Sequence, residues 1–115
     1  MVVTKEMADF ALEYLQSNNG EKENLTICIL NGYDCIQGPD GTVGFAVYST
    51  EEHIIYIAGE LPGEEEEVFS TIAHEYKHYE QQMKRKKYSE LWAEMFAMRM
   101  RKRMVKAWNL RGKYD

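Results

Sequence analysis

The residues of this sequence best suited to chemistry are His74, Glu75 and His78, in the run His74-Glu75-Tyr76-Lys77-His78. On an α-helix, residues four apart stand one turn apart on one face, with Cβ atoms about 5–6 Å from each other. Two imidazoles so placed reach a single Zn²⁺ at the ordinary zinc–nitrogen distance of about 2.0–2.1 Å. Glu75, one residue on from His74, lies beside the pair and not on top of it. Its carboxylate reaches a water on the metal more readily than the metal itself, which is the position of a general base. The plain alternative is two ordinary helix histidines beside a surface glutamate. Two of the three histidines of the chain fall in this run.

Catalytic zinc takes three protein ligands and keeps one position open. The candidates for the third lie downstream, at Glu90 and Glu94, one turn apart and on the same side as Ala93 and Ala97. Small alanines there allow a close helix crossing, and a carboxylate at that crossing can face the two histidines. The geometry sets a hard condition. Were the chain one unbroken helix, His78 and Glu90 would stand about 18 Å apart along its axis. The chain must therefore turn back near residues 84–89. Four like charges at Lys84-Arg85-Lys86-Lys87, followed by the N-cap candidate Ser89, mark the place.

The elements that must position these groups read as follows. Met7, Phe10, Ala11, Tyr14 and Leu15 follow a helical period over Thr4 to Gln16, with Thr4 as N-cap and Asn18-Asn19-Gly20 as the stop. Residues 25–58 are β-rich, and Asn31-Gly32 is a turn signal from which Tyr33–Gln37 returns as a strand. Val43–Ser49 and His53–Ala58 read as a hairpin, with His53–Ala58 taken as an edge strand. From Glu64 to Arg111 there is no Gly or Pro. Glutamates in a first turn and cations in a last turn predict one helix over about 64–86. A second runs from Ser89 to about Asn109, with Gly112 beyond it. The expected fold class is α+β in one domain, residues 1–115: a helix, a small mostly antiparallel sheet of three or four strands, and an antiparallel helix pair. Val68, Ile72, Tyr76, Tyr79 and Met83 read as core, and so do the methionines of the 95–104 stretch.

With these elements in place, His74-Glu75-x-x-His78 followed by Glu90-x-x-Ala93-x-x-Phe96-Ala97 resembles the gluzincin-type zinc metallopeptidases. It looks most like the small ImmA/IrrE-like and phage- or mobile-element-associated peptidases and the single-domain minigluzincins. The resemblance covers about residues 43–100. It implies a zinc ion on His74, His78 and Glu90, Glu75 as the base, and a peptide or protein substrate lying along a sheet edge. One departure is Glu94, where many of these families carry Asp or Asn. It is either a hydrogen-bond partner of a ligand histidine or a rival ligand to Glu90. His53, Tyr56 and Tyr88 are further candidates, as stabilisers of an oxyanion.

Composition bounds the rest. A chain of 115 residues, 44% apolar and 12% aromatic, can bury one core. No apolar run is long enough to span a bilayer. With two cysteines and no secretory-type N-terminal pattern, the expectation is a reduced, cytoplasmic protein. The net charge of −5 is lopsided. Residues 1–83 carry sixteen acids and three Lys/Arg, whereas residues 84–115 carry eleven Lys/Arg and three acids. The basic segment is expected to close on the acidic one or to face solvent. The competing class is a non-catalytic binding module using the basic 84–113 segment for a protein or nucleic acid. Nucleic acid is disfavoured because the stripe lacks interleaved aromatics and a groove-reading pattern. A third reading has the tail 111–115 covering the cleft of a latent enzyme. Oligomeric state is not legible.

Overall fold

The computed structural model describes residues 1–19 and 24–111. The architecture is α+β. Helix α1 (Lys5–Asn19) is followed by strands β1 (Thr26–Leu30), β2 (Ile36–Gln37), β3 (Val43–Gly44), β4 (Ala46–Ser49) and β5 (Ile54–Ala58). Helices α2 (Glu65–Met83) and α3 (Glu90–Leu110) complete it. The expected helix stop at Gly20, the Gly112 beyond α3 and the tail after Arg111 lie outside the described residues.

Helix α1 starts where the sequence places it, with the Thr4 hydroxyl accepting from the Met7 amide at 3.2 Å. Its buried Met7, Ala8, Ala11 and Leu15 face α2 and β1. One face of the sheet contributes Ile55 and Ile57, both fully buried, against Val68, Phe69, Ile72, Tyr76 and Tyr79 of α2. Each such side chain contributes about 1.5–3 kcal/mol by leaving water. Two of the three strand pairings are antiparallel, β4 with β5 and β2 with β3. The third is not: β1 runs parallel to β5, with Thr26 opposite Ile54 and Leu30 opposite Ala58.

That pairing corrects two expectations. The sheet order is β1-β5-β4, so the strand expected at an edge is the central one, and β4 is the edge. Asn31-Gly32 does turn the chain, with Gly32 at φ 86°, but it does not return β1 onto residues 33–37. β2 pairs instead with β3 in a separate two-stranded ribbon. The methionines also divide. Met100 and Met104 are buried, whereas Met95 and Met98 are on the outside. Among the described residues the basic segment meets the acidic one through Arg101 with Glu66 on α2 and Arg111 with Glu6 on α1, each at 3.1 Å, and through Lys84 with Glu80 at 3.6 Å.

The reversal between α2 and α3 decides whether Glu90 can meet the histidines. Helix α2 ends in a Schellman arrangement: the Lys86 amide donates to the Gln81 carbonyl at 2.7 Å and the Arg85 amide to the Gln82 carbonyl at 3.1 Å. Arg85 takes the left-handed conformation, φ 53°, that glycine usually supplies there. Ser89 then caps α3, its hydroxyl accepting from the Trp92 amide at 3.1 Å. Ala93 and Ala97, both buried, let the two helices pack along their length. Because a side chain in the left-handed region costs about 1–2 kcal/mol, partly offset by the greater freedom of glycine when unfolded, Arg85→Gly is expected to raise stability by up to about 1 kcal/mol. Urea unfolding midpoints of the two proteins check this; a fall in midpoint counts against the assigned turn.

Candidate metal centre

His74 and His78 sit mid-way along α2, one turn apart on the side that faces the start of α3. Their rings meet edge to face with centroids 5.1 Å apart. Glu90, the first residue of α3, extends its carboxylate to both Nε2 atoms. Oε2 lies 3.5 Å from Nε2 of His74, and Oε1 contacts Nε2 of His78. The three donor atoms all lie within 4.8 Å of one another. Glu94, one turn further on, goes elsewhere: its Oε2 is 3.1 Å from Nδ1 of His74. Glu90 therefore faces the nitrogens that point into the cluster, while Glu94 holds the far side of one ring.

The donor set fits a zinc ion. Two imidazole nitrogens and one carboxylate oxygen are a catalytic zinc set with one position left over. The Nε2 of His78 is buried with the Glu90 carboxylate against it, and a cation placed among these three groups would take both as ligands.

The second nitrogen of each ring is engaged, as ligand histidines require. Nδ1 of His78 is 3.0 Å from Oε1 of Gln81, a buried side chain one turn along α2. With the amide oxygen as acceptor, Nδ1 carries the proton and Nε2 is left with its lone pair. Gln81 also grips the turn. Its Nε2 donates to the Ser89 carbonyl at 3.2 Å, and its Oε1 accepts from the Ser89 amide at 3.3 Å. One side chain thus sets both the His78 tautomer and the place where α3 begins. Gln81 was not singled out from the sequence; its i, i+3 spacing from His78 was the available signal.

Tyr88 lies at the centre, in a role different from the expected one. Its ring stacks on His78, centroids 4.3 Å apart and planes 8° from parallel. Its hydroxyl donates to Glu90 Oε1 at 2.6 Å. Burial, then this bond, push the phenol well above the ordinary tyrosine range. In this structure the hydroxyl is engaged with Glu90. His53 and Tyr56 lie away from the cluster. His53 occupies the β4–β5 turn at φ 57° with its ring against Tyr79. The Tyr56 hydroxyl donates to Glu52 at 2.8 Å, and Tyr56 projects from the sheet face opposite Ile55 and Ile57. Neither lines the cleft.

Glu75 opens into a cleft of about 770 Å³ together with His78 and Glu90. β4 supplies one wall through Ala46, Val47 and Tyr48, and the β2–β3 ribbon with its turn at Pro39 and Asp40 supplies another. Burial pushes the Glu75 carboxyl up to about 8, the negative charge of Glu90 adding to the rise and the Tyr48 backbone amide opposing it. Glu90 moves the other way. Burial would raise it, but the Tyr88 hydroxyl and the two imidazoles outweigh that and hold its carboxyl below the ordinary range. The two carboxylates therefore differ in kind, one kept ionised among donors and one kept protonatable beside them.

No protein-family model, curated protein or solved structure matches this chain.

Zinc titration of the metal-free protein against a chelating indicator tests the cluster. His78→Ala and Glu90→Ala are expected to abolish stoichiometric binding. Gln81→Ala and Glu94→Ala are expected to weaken it by about 10–100-fold, the usual effect of removing a ligand's hydrogen-bond partner. Undiminished affinity in His78→Ala or Glu90→Ala removes the metal assignment.

Proposed function

We propose that this chain is a zinc-dependent metallopeptidase of the gluzincin kind. The observation that carries the reading is the convergence of His74, His78 and Glu90 within 4.8 Å at the side of a cleft into which Glu75 opens. The zinc ion, when bound, supplies acidity to a water molecule and polarises the peptide carbonyl. The chain's own groups account for the remaining tasks. Glu75 takes the proton of the attacking water and delivers it to the leaving amine. Burial and the Glu90 charge raise this carboxyl in the metal-free chain, and a bound cation would oppose that rise and leave it able to accept the proton. Gln81 and Glu94 hold the two imidazoles, and Tyr88 holds Glu90, so that the donors need little rearrangement.

Substrate positioning falls to β4. One side of this strand pairs with β5 and the other borders the cleft. An extended peptide can add to that side through main-chain hydrogen bonds, taking over the Tyr48 amide that Glu75 engages in this structure. The edge thus lies one strand away from where the sequence places it. Tyr48 anchors β4 to α2 through its hydroxyl, which donates to Gln82, one residue beyond Gln81. A cleft walled by a strand edge and a short ribbon fits recognition of an extended backbone.

Glu75→Gln is expected to keep bound zinc and to lower the cleavage rate of a fluorescent casein by about 10²–10⁴-fold, the range for loss of a general base. Zinc content by mass spectrometry and the cleavage rate are read on the same preparation. Retained zinc with an unchanged rate excludes Glu75 as the base, and a zinc-loaded protein that cleaves neither casein nor any peptide in a broad library overturns the peptidase reading.

A further inference from the structure

Helix α3 has one side committed to the core, through Ala93, Phe96, Ala97, Met100 and Met104, and one edge committed to the histidines. Its outward side changes character along its length. In the first turns it carries Leu91, Trp92, Met95 and Met98, which are 67%, 66%, 53% and 55% exposed. In the later turns the exposed positions are Arg99, Lys102, Arg103 and Lys106, followed at the end of the helix by Asn109 and Leu110. Ahead of the helix, Lys84, Lys86 and Lys87 border a groove of about 640 Å³ whose apolar walls include Trp92. An apolar strip about 10 Å long therefore lies between two groups of cations.

We infer that this strip is a docking surface for an acidic amphipathic helix of a partner protein. Single exposed apolar residues are ordinary, but four large ones side by side, rimmed by charge, mark a contact site. Positions 91, 95 and 98 repeat at i, i+4 and i+7, the spacing by which one helix face meets another. Two of the four are methionines, whose unbranched side chains remould against a partner. The cations at both ends specify acids flanking the partner's apolar residues. Glu90 and Glu94 run along one edge of the strip, so acids are favoured at the two ends of a partner and not along its whole length; one short helix meets that pattern, and a bilayer or a nucleic-acid duplex, anionic throughout, does not. This docking goes beyond the peptidase reading and stands whether or not that reading holds.

The test uses the intact protein and a fluorescein-labelled synthetic helix of Glu and Leu, with Leu at i, i+3, i+4 and i+7, read by anisotropy. Saturable binding is expected, with at least about tenfold weaker binding of the same peptide bearing Lys for Glu. Met95→Glu and, separately, Leu91→Glu are expected to weaken binding by at least about tenfold. Both positions are exposed, so thermal melting should match that of the parent. The methyl carbon resonances of Met95 and Met98 should shift on titration and that of Met104 should not. Absence of saturable binding, equal affinity for the two peptides, or unchanged affinity in both variants overturns the proposal. Tighter binding to phosphatidylserine vesicles or to a DNA duplex than to the acidic peptide overturns it as well.

Discussion

The candidate site depends on bringing a carboxylate from the first turn of α3 against two imidazoles of α2, with a third carboxyl close by. Glu75, Glu90 and Glu94 crowd around His74 and His78 at a helix crossing where solvent is partly excluded. Like charges this close cannot all persist without compensation. The structure distributes the burden unequally. Tyr88 and both imidazoles stabilise the Glu90 carboxylate, Glu94 is largely exposed beside one ring, and Glu75 is driven toward its neutral form. A divalent cation among the Nε2 atoms and Glu90 would reduce the same repulsion at its source. Burial is the larger cause of the Glu75 shift and the Glu90 charge the lesser, and displaced protonation equilibria of this kind concentrate at functional sites.

What makes the crossing possible is the six-residue connection from 84 to 89. A reversal this short leaves little freedom in where α3 begins, and each of its ends is fixed by a local device. The Schellman turn at Arg85 closes α2, and the Ser89 hydroxyl opens α3. Gln81 joins the two by gripping both the amide and the carbonyl of Ser89. Because the same amide oxygen also faces Nδ1 of His78, the turn and the ligand are coupled. A shift of α3 by one residue would rotate Glu90 by about 100° around its axis and carry it off the histidines. The alanines at 93 and 97 serve the same end, since larger side chains there would hold the helices apart at the level of His74.

Much of this was legible in the sequence because it is local. The i, i+4 spacing of His74 and His78, the Ser89 cap, and the apolar periods of α1, α2 and α3 depend only on neighbours within a few turns. The place of the reversal was legible from like charge at 84–87, although its mechanism was not, since Arg85 stands where a glycine would have announced the turn. Sheet order was illegible for a different reason. β1 pairs with β5 across more than twenty intervening residues, and nothing in Thr26–Leu30 states which strand will lie beside it. Asn31-Gly32 signalled a turn, and a turn after a strand usually means a hairpin; here the non-local parallel pairing prevails. Gln81 escaped notice because half of its role is toward a backbone that lies eight residues away and comes near only once the chain has turned.

The methionines show where periodicity was applied too coarsely. Met95 and Met98 share a stretch with Met100 and Met104, but at 100° per residue the two pairs point to opposite sides of α3. Met100 and Met104 belong with Ala93 and Ala97 and are buried, while Met95 and Met98 belong with Leu91. The outward positions over the next turns of the same helix, Arg99, Lys102, Arg103 and Lys106, are cationic, so water is accommodated there in the ordinary way. The first turns depart from that habit, with Leu91, Trp92, Met95 and Met98 more than half exposed and outside the buried core. Packing therefore explains the inner face of α3, the contacts of Glu90 and Glu94 with the two histidines explain its edge, and neither explains the apolar residues that remain outside. Local consistency between pattern and environment is the rule in a folded chain, and a departure confined to one strip is the signature of a constraint imposed from beyond it.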